Sequence, residues 1–186
     1  MAAKERDYEE IIENKWLVEF DRKHFDKHKN VGFVLDFNDD FTLIQLFDWD
    51  WFKTDGYCIF QNKSVNKFRV YDKEDYFLNE VVKFKKIEPK PVPEISIESW
   101  ATILQTANDN FNLVVVESEL IYKNQCNIGK LERINKKDFS LIEISSDATW
   151  DNSLEKYEFK HLTKVCFNRA YENMLWEISK IRKIKD

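Results

Sequence analysis

The chain has 186 residues, of which 43% are apolar and 15% aromatic, with only three glycines and three prolines. That excludes a disordered chain and allows one domain or two small ones. The formal net charge of −5 argues against a binder of phosphate backbones, which carries a basic stripe, and fits a chain whose partner is basic.

The first residues, Met1 to Asp7, are charged and lead into no apolar stretch, so no signal peptide is expected. No apolar run approaches the ~18 residues that span a bilayer. Cys58, Cys126 and Cys166 are odd in number and form no CxxC, which reads as reduced thiols. A soluble cytoplasmic protein is expected.

In chain order, Tyr8, Ile11 and Ile12 have helical spacing. Strands are predicted at Trp16–Phe20, Val31–Phe37, Phe41–Phe47, Tyr57–Phe60 and Val65–Tyr71, then a helix over Lys73–Lys85. Asn38-Asp39-Asp40 between apolar runs predicts a hairpin turn. All three prolines fall in Ile87–Glu94, which reads as a stiff extended connector. Beyond it, Ile97, Trp100, Ile103 and Leu104 predict a helix capped by Ser96 or Ser99. Strands follow at Asn112–Tyr122, Ile128–Asn135, Asp138–Ser145, Lys156–Lys160 and Thr163–Asn168, and a last helix at Ala170–Ile181.

The two halves therefore say nearly the same thing, and the expectation is a duplication. Gly32 and Gly129 differ by 97. The pairs Glu19 and Glu117, Phe41 and Phe139, and Ile44 and Ile142 differ by 98. Val65 and Val165, like Tyr71 and Tyr171, differ by 100. The division expected is 1–86, a linker at 87–94, and 95–186.

A helix followed by five short strands, with a glycine in the second strand (Gly32, Gly129) and a turn after it (Asn38–Asp40, Asn135–Asp138), resembles the Sm-like and SH3-like small barrels. The resemblance covers residues 5–71 and 97–168. It implies a mainly β fold with flanking helices (α+β), built as two tandem five-stranded barrels. The Arg-Gly of the Sm-like family's last turn is missing, since the chain reads Gln61-Asn62-Lys63-Ser64 and His161-Leu162 there. The RNA pocket of that family is therefore not carried over, and fold alone does not give function.

No catalytic motif is present: no GxSxG, no Gly-rich phosphate loop, no HExxH. His24 and His28 have the i, i+4 spacing of metal ligands, but Arg22, Lys23, Lys27 and Lys29 surround them, which favours a charged surface connection. His161 stands alone. Asp36, Asp39 and Asp40 could chelate a hard cation and more readily cap a hairpin.

The strongest candidate site is Phe47–Tyr57, where aromatics alternate with acids: Asp48, Trp49, Asp50, Trp51, Phe52 and then Asp55. Either the tryptophans fill or lid the barrel, or they are exposed anchors for a partner, with the aspartates selecting a basic one. Residues 31–60 hold six Asp and one Lys, a net −5 that equals the whole chain's formal charge. The second copy keeps Trp150 between Asp147 and Asp151. The C-terminal Lys180, Arg182, Lys183 and Lys185 suit a helix end.

The function expected is non-catalytic binding, with no cofactor and no metal, of a protein with a basic surface. A bacterial immunity protein or antitoxin is one form of it. The alternative is an Sm-like RNA-binding module using Lys130, Arg133, Lys136, Lys137, Lys160 and Lys164, and a weaker one is a metal-dependent hydrolase built on Asp39 and its neighbours.

Overall fold

The computed structural model describes residues 5–26, 29–73, 75–91, 94–123 and 125–183. His28 of the two-histidine motif, and Val92 and Pro93 of the connector, lie outside them. The chain divides into two compact units, Met1–Val92 and Pro93–Asp186.

The first unit runs α1 (Glu5–Glu13), β1 (Leu17–Asp21), β2 (Asn30–Phe37), β3 (Phe41–Asp48), β4 (Lys53–Gln61), a 3₁₀ turn (Asn62–Ser64), β5 (Lys67–Val70) and α2 (Phe77–Lys85). Its strands order as β5-β1-β2-β3-β4, and the ladders within it are antiparallel. The 3₁₀ turn sends β5 back to pair with β1 (Val18 opposite Val70). Leu17, Val31, Phe33, Phe47, Tyr71 and Leu78 form one apolar core on which α2 closes. Burying side chains of this size stabilises by about 1.5–3 kcal/mol each. The connector is tied to this unit, because the Lys90 N–H donates to Gln45 Oε1 at 2.8 Å.

The second unit runs α3 (Trp100–Asn110), β6 (Val114–Glu117), β7 (Asn127–Ile134), β8 (Asp138–Ile144), β9 (Trp150–Glu158), a 3₁₀ turn (Phe159–His161), β10 (Lys164–Phe167) and α4 (Ala170–Lys183). Its order, β10-β6-β7-β8-β9, is that of the first unit. Ser99 caps α3: its Oγ accepts from the Thr102 N–H, and the Thr102 hydroxyl accepts in return from the Ser99 N–H.

The chain is thus mainly β with flanking helices. Closed tandem barrels are not shown: each unit's sheet is open, with no ladder between β5 and β4 or between β10 and β9 among the described residues. Strands β4 and β9 begin at Lys53 and Trp150, well before Tyr57 and Lys156, because pairing continues through polar residues toward the hairpin tips.

Strand pairing fixes the internal correspondence. Gly32 faces Leu46 as Gly129 faces Glu143; Val34 faces Ile44 as Leu131 faces Leu141. A bulge follows at Leu35 in one unit and Glu132 in the other. Thr42 faces Phe60 as Phe139 faces Tyr157. From β2 onward the offset is 97, and only β1 and β6 differ, by 96, since Val18 faces Gly32 as Val114 faces Gly129. The offsets of 98 and 100 expected from residue identity are corrected by this register. Phe139 corresponds to Thr42, not Phe41, and Val165 to Phe68, not Val65. Along a strand, a one-residue slip exchanges the two faces, so matching like residues misassigned inside and outside.

The two strand glycines are required for close approach. A Cβ on Gly32 would lie 2.2 Å from the Gln45 carbonyl oxygen, and one on Gly129 would lie 2.4 Å from that of Ile142. The same neighbouring backbone presses on the same point of both sheets.

Candidate functional site

The acidic aromatic segment is the tip of the β3–β4 hairpin. Strand β3 ends at Asp48, and residues 49–52 form the turn. Asp48 spends its carboxylate on that turn, since Oδ1 accepts the N–H groups of Asp50 (2.9 Å) and Trp51 (3.1 Å). Phe52 closes the turn with φ of 47°, an uncommon conformation for a bulky residue, held here because the ring packs on the unit's core and lies edge-on to Phe77 at 6.0 Å.

Phe47 points into the core, while Trp49 and Trp51 leave it. Trp51 is 70% exposed and Trp49 43%. Trp49 leans edge-on against the buried Tyr71 ring at 6.5 Å. Burial, with the nearby Glu19 carboxylate that accepts from the Tyr71 hydroxyl at 3.1 Å, pushes that phenol up to about 12. Trp49 is therefore braced and Trp51 is presented. Asp50 is exposed, and Asp55 sits half-buried in β4.

The tip has a neighbour that the sequence reading missed. Helix α2 carries Phe77, Val81 and Phe84 on one stripe, and Phe77 is 64% and Phe84 89% exposed. The helix meets the tip at both ends: Phe77 touches Phe52, and Lys85 Nζ donates to the Trp51 carbonyl at 3.3 Å while lying 5.9 Å above the Phe52 ring. The signal was available, since the i, i+4, i+7 spacing of Phe77, Val81 and Phe84 is distinct from the Leu78 and Val82 positions that face the core.

In the second unit, Trp150 is not presented. It lies at the start of β9, packed against the core at 6.1 Å from Trp176, edge to face. The α4 residues equivalent to Phe77, Val81 and Phe84 are Met174, Ile178 and Ile181, and all three are exposed.

The cations weighed for RNA binding are partly engaged. Lys164 is buried between Glu117 (3.0 Å) and Glu119 (3.8 Å), Lys130 pairs with Glu132 and Lys160 with Glu158. Arg133, Lys136 and Lys137 remain exposed around one hairpin. Asn38, next to the aspartates weighed for metal binding, holds the β2–β3 turn through Oδ1, which accepts from the Asp40 and Phe41 N–H groups. Among the described residues no group of three or more His, Cys, Asp or Glu side chains is placed to hold a metal ion. No helix among them is long and apolar enough to cross a membrane.

No protein-family model matches the chain, and neither a curated protein nor a solved structure shows significant similarity to it.

Proposed function

We propose that this chain is a non-catalytic binding protein whose contact surface is the β3–β4 hairpin tip of the first unit together with the outer face of α2, and whose partner is a protein with a basic surface. The observation that carries the reading is the joint exposure of Trp51, beside Asp50 on a stiff turn, and of Phe77 and Phe84 on the adjoining helix α2. Aromatic side chains presented on a rigid support lose little entropy on binding and dominate interfaces. Asp50 and Asp55 supply the selection for a basic partner. A small acidic immunity protein or antitoxin, working in the cytoplasm, is the biological form this binder takes in our reading. For each unit we propose an Sm-like or SH3-like small barrel, supported by the order helix, four strands, 3₁₀ turn, fifth strand returning to the first, and by the glycine at the crowded point of the second strand.

The test is affinity capture from the native host with the intact chain and with Trp51→Ala/Phe84→Ala, with bound proteins identified by mass spectrometry. A protein of basic pI that is retained by the first and lost from the second, at equal melting temperature, is the expected result. Equal retention by both, or retention of RNA instead, would overturn it.

A further inference from the structure

The two units share a register but not their chemistry at one place. The second unit has a groove of about 530 Å³ between the β6–β7 loop and the sheet, with Ile121, Tyr122 and Tyr157 among its walls and Glu143 in its lining. Asn127 Nδ2 donates to both oxygens of Glu143, at 3.2 and 3.1 Å, and the Tyr157 hydroxyl also donates to it. Asp151 and Glu155 line the same groove. Of the other charged groups there, Lys156 is drawn to Asp138 at 3.1 Å and Glu158 is paired with Lys160 at 2.6 Å. Among the described residues no cation pairs with Glu143, Asp151 or Glu155.

The fold does not require these groups. By the shared register, Glu143, Glu155 and Tyr157 occupy the positions of Leu46, Cys58 and Phe60 in the first unit. Three apolar positions of one copy are thus two carboxylates and a phenol in the other, and they open on a groove whose apolar wall leaves Ile121 and Tyr122 exposed. A leucine fills the equivalent position of the first unit, so packing does not call for the Glu143 carboxyl, which gives up solvation there. Burial, and behind it the charges of Asp151 and Glu155, hold the Glu143 carboxyl above its ordinary range, which an incoming cation would reverse.

We infer that this groove receives a lysine or arginine side chain from an extended basic segment of a partner protein, its charge meeting Glu143 and Glu155 and its alkyl stem lying along Tyr122 and Ile121. A stem over an aromatic wall with a charged head at carboxylates is how long cationic side chains are bound. The inference goes beyond the reading above, since the groove belongs to the second unit, and rests on it for the partner's basic character. The groove itself is tested with a peptide alone.

The probe is a fluorescein-labelled peptide of four arginines spaced by glycines, titrated into the full chain by anisotropy, with amide shifts followed by NMR. We expect saturable binding, shifts centred on Asn127, Glu143 and Glu155 through Tyr157, and affinity about tenfold weaker in Glu143→Gln/Glu155→Gln. The charge-matched control Glu9→Gln/Glu13→Gln on α1 should bind as the parent does. Glu143→Leu, which carries the first unit's residue to the equivalent position, is a second variant and should weaken binding likewise. No saturable binding, equal binding by all variants, or shifts spread evenly over acidic surface would overturn the assignment. Peptide binding in the groove without any basic protein that depends on Trp51 would overturn the proposed function and leave the groove standing.

Discussion

Lys85 and Arg182 stand 97 residues apart and make the same staple. Each lies near the end of its unit's closing helix and reaches the tip of the hairpin between that unit's third and fourth strands. Lys85 donates to the Trp51 carbonyl at 3.3 Å, and Arg182 to Asp147 Oδ2 at 3.4 Å and Thr149 Oγ1 at 3.2 Å. Beneath each staple a leucine, Leu78 or Leu175, is buried in its unit's core. Both staples are exposed, so they guide the helix end more than they stabilise it. Replacing either with alanine should change global stability by less than about 0.5 kcal/mol. The same change should speed amide exchange in the last turn of that unit's helix alone, as read by hydrogen-exchange mass spectrometry. Leu78→Ala or Leu175→Ala should instead cost about 2–4 kcal/mol in urea unfolding.

Gly32→Ala and Gly129→Ala should each destabilise by more than about 2 kcal/mol, because the new methyl meets a backbone carbonyl that cannot rotate away. The two losses should be similar, since the contacts are equivalent. Urea midpoints would check this, and a harmless substitution at either position would refute the close approach.

The three tryptophans at the hairpin tips should separate by stability. Trp51→Ala should fall within about 0.5 kcal/mol of the parent, Trp49→Ala should cost about 1 kcal/mol for the lost edge contact with Tyr71, and Trp150→Ala should cost about 3 kcal/mol for its place against Trp176 and the core. Thermal melts of the three variants give the order directly. A Trp51→Ala loss as large as that of Trp150→Ala would mean the presented ring is structural.

Glu143 gives a pH signature of known sign. Its folded carboxyl is held above the ordinary value, first by burial and then by Asp151 and Glu155, so the folded state binds that proton more tightly than the unfolded chain does. The favourable contribution is complete below the ordinary carboxylate range and is lost as pH rises through the raised value. Glu143→Gln removes that loss. Its stability against urea should equal or exceed the parent's at pH 7, by less than about 1 kcal/mol because the groove is open to solvent, and the advantage should shrink in acid. A deficit that grows with pH would contradict the direction.

Much of the chain's organisation was legible residue by residue. The helix of Tyr8 and Ile11, the strand of Asn30–Phe37 and the turn at Asn38 follow from apolar spacing and from the side-chain acceptor of Asn38, which are local properties. Gly32 and Gly129 were correctly paired because the same backbone contact constrains both. The remaining repeat offsets misled because similarity of residues was followed where similarity of register was needed. Phe41 and Phe139 are alike in type yet lie one step apart in the ladder, and a strand reverses its side chains at each step.

Local chemistry also identified the hairpin of Trp49 and Trp51 as the feature to watch, but not whether either ring faced the core. That depends on where β3 stops and on Asp48 folding its carboxylate under the turn. The groove of Glu143, Asn127 and Tyr157 was out of reach for a stronger reason. Its members come from three strands, lie up to 30 residues apart, and differ from the first unit only at positions that cross-strand pairing defines. Composition and periodicity, being short-range, set most of the individual elements. Register, being a contact between distant segments, assigned which side chains meet and what they can hold.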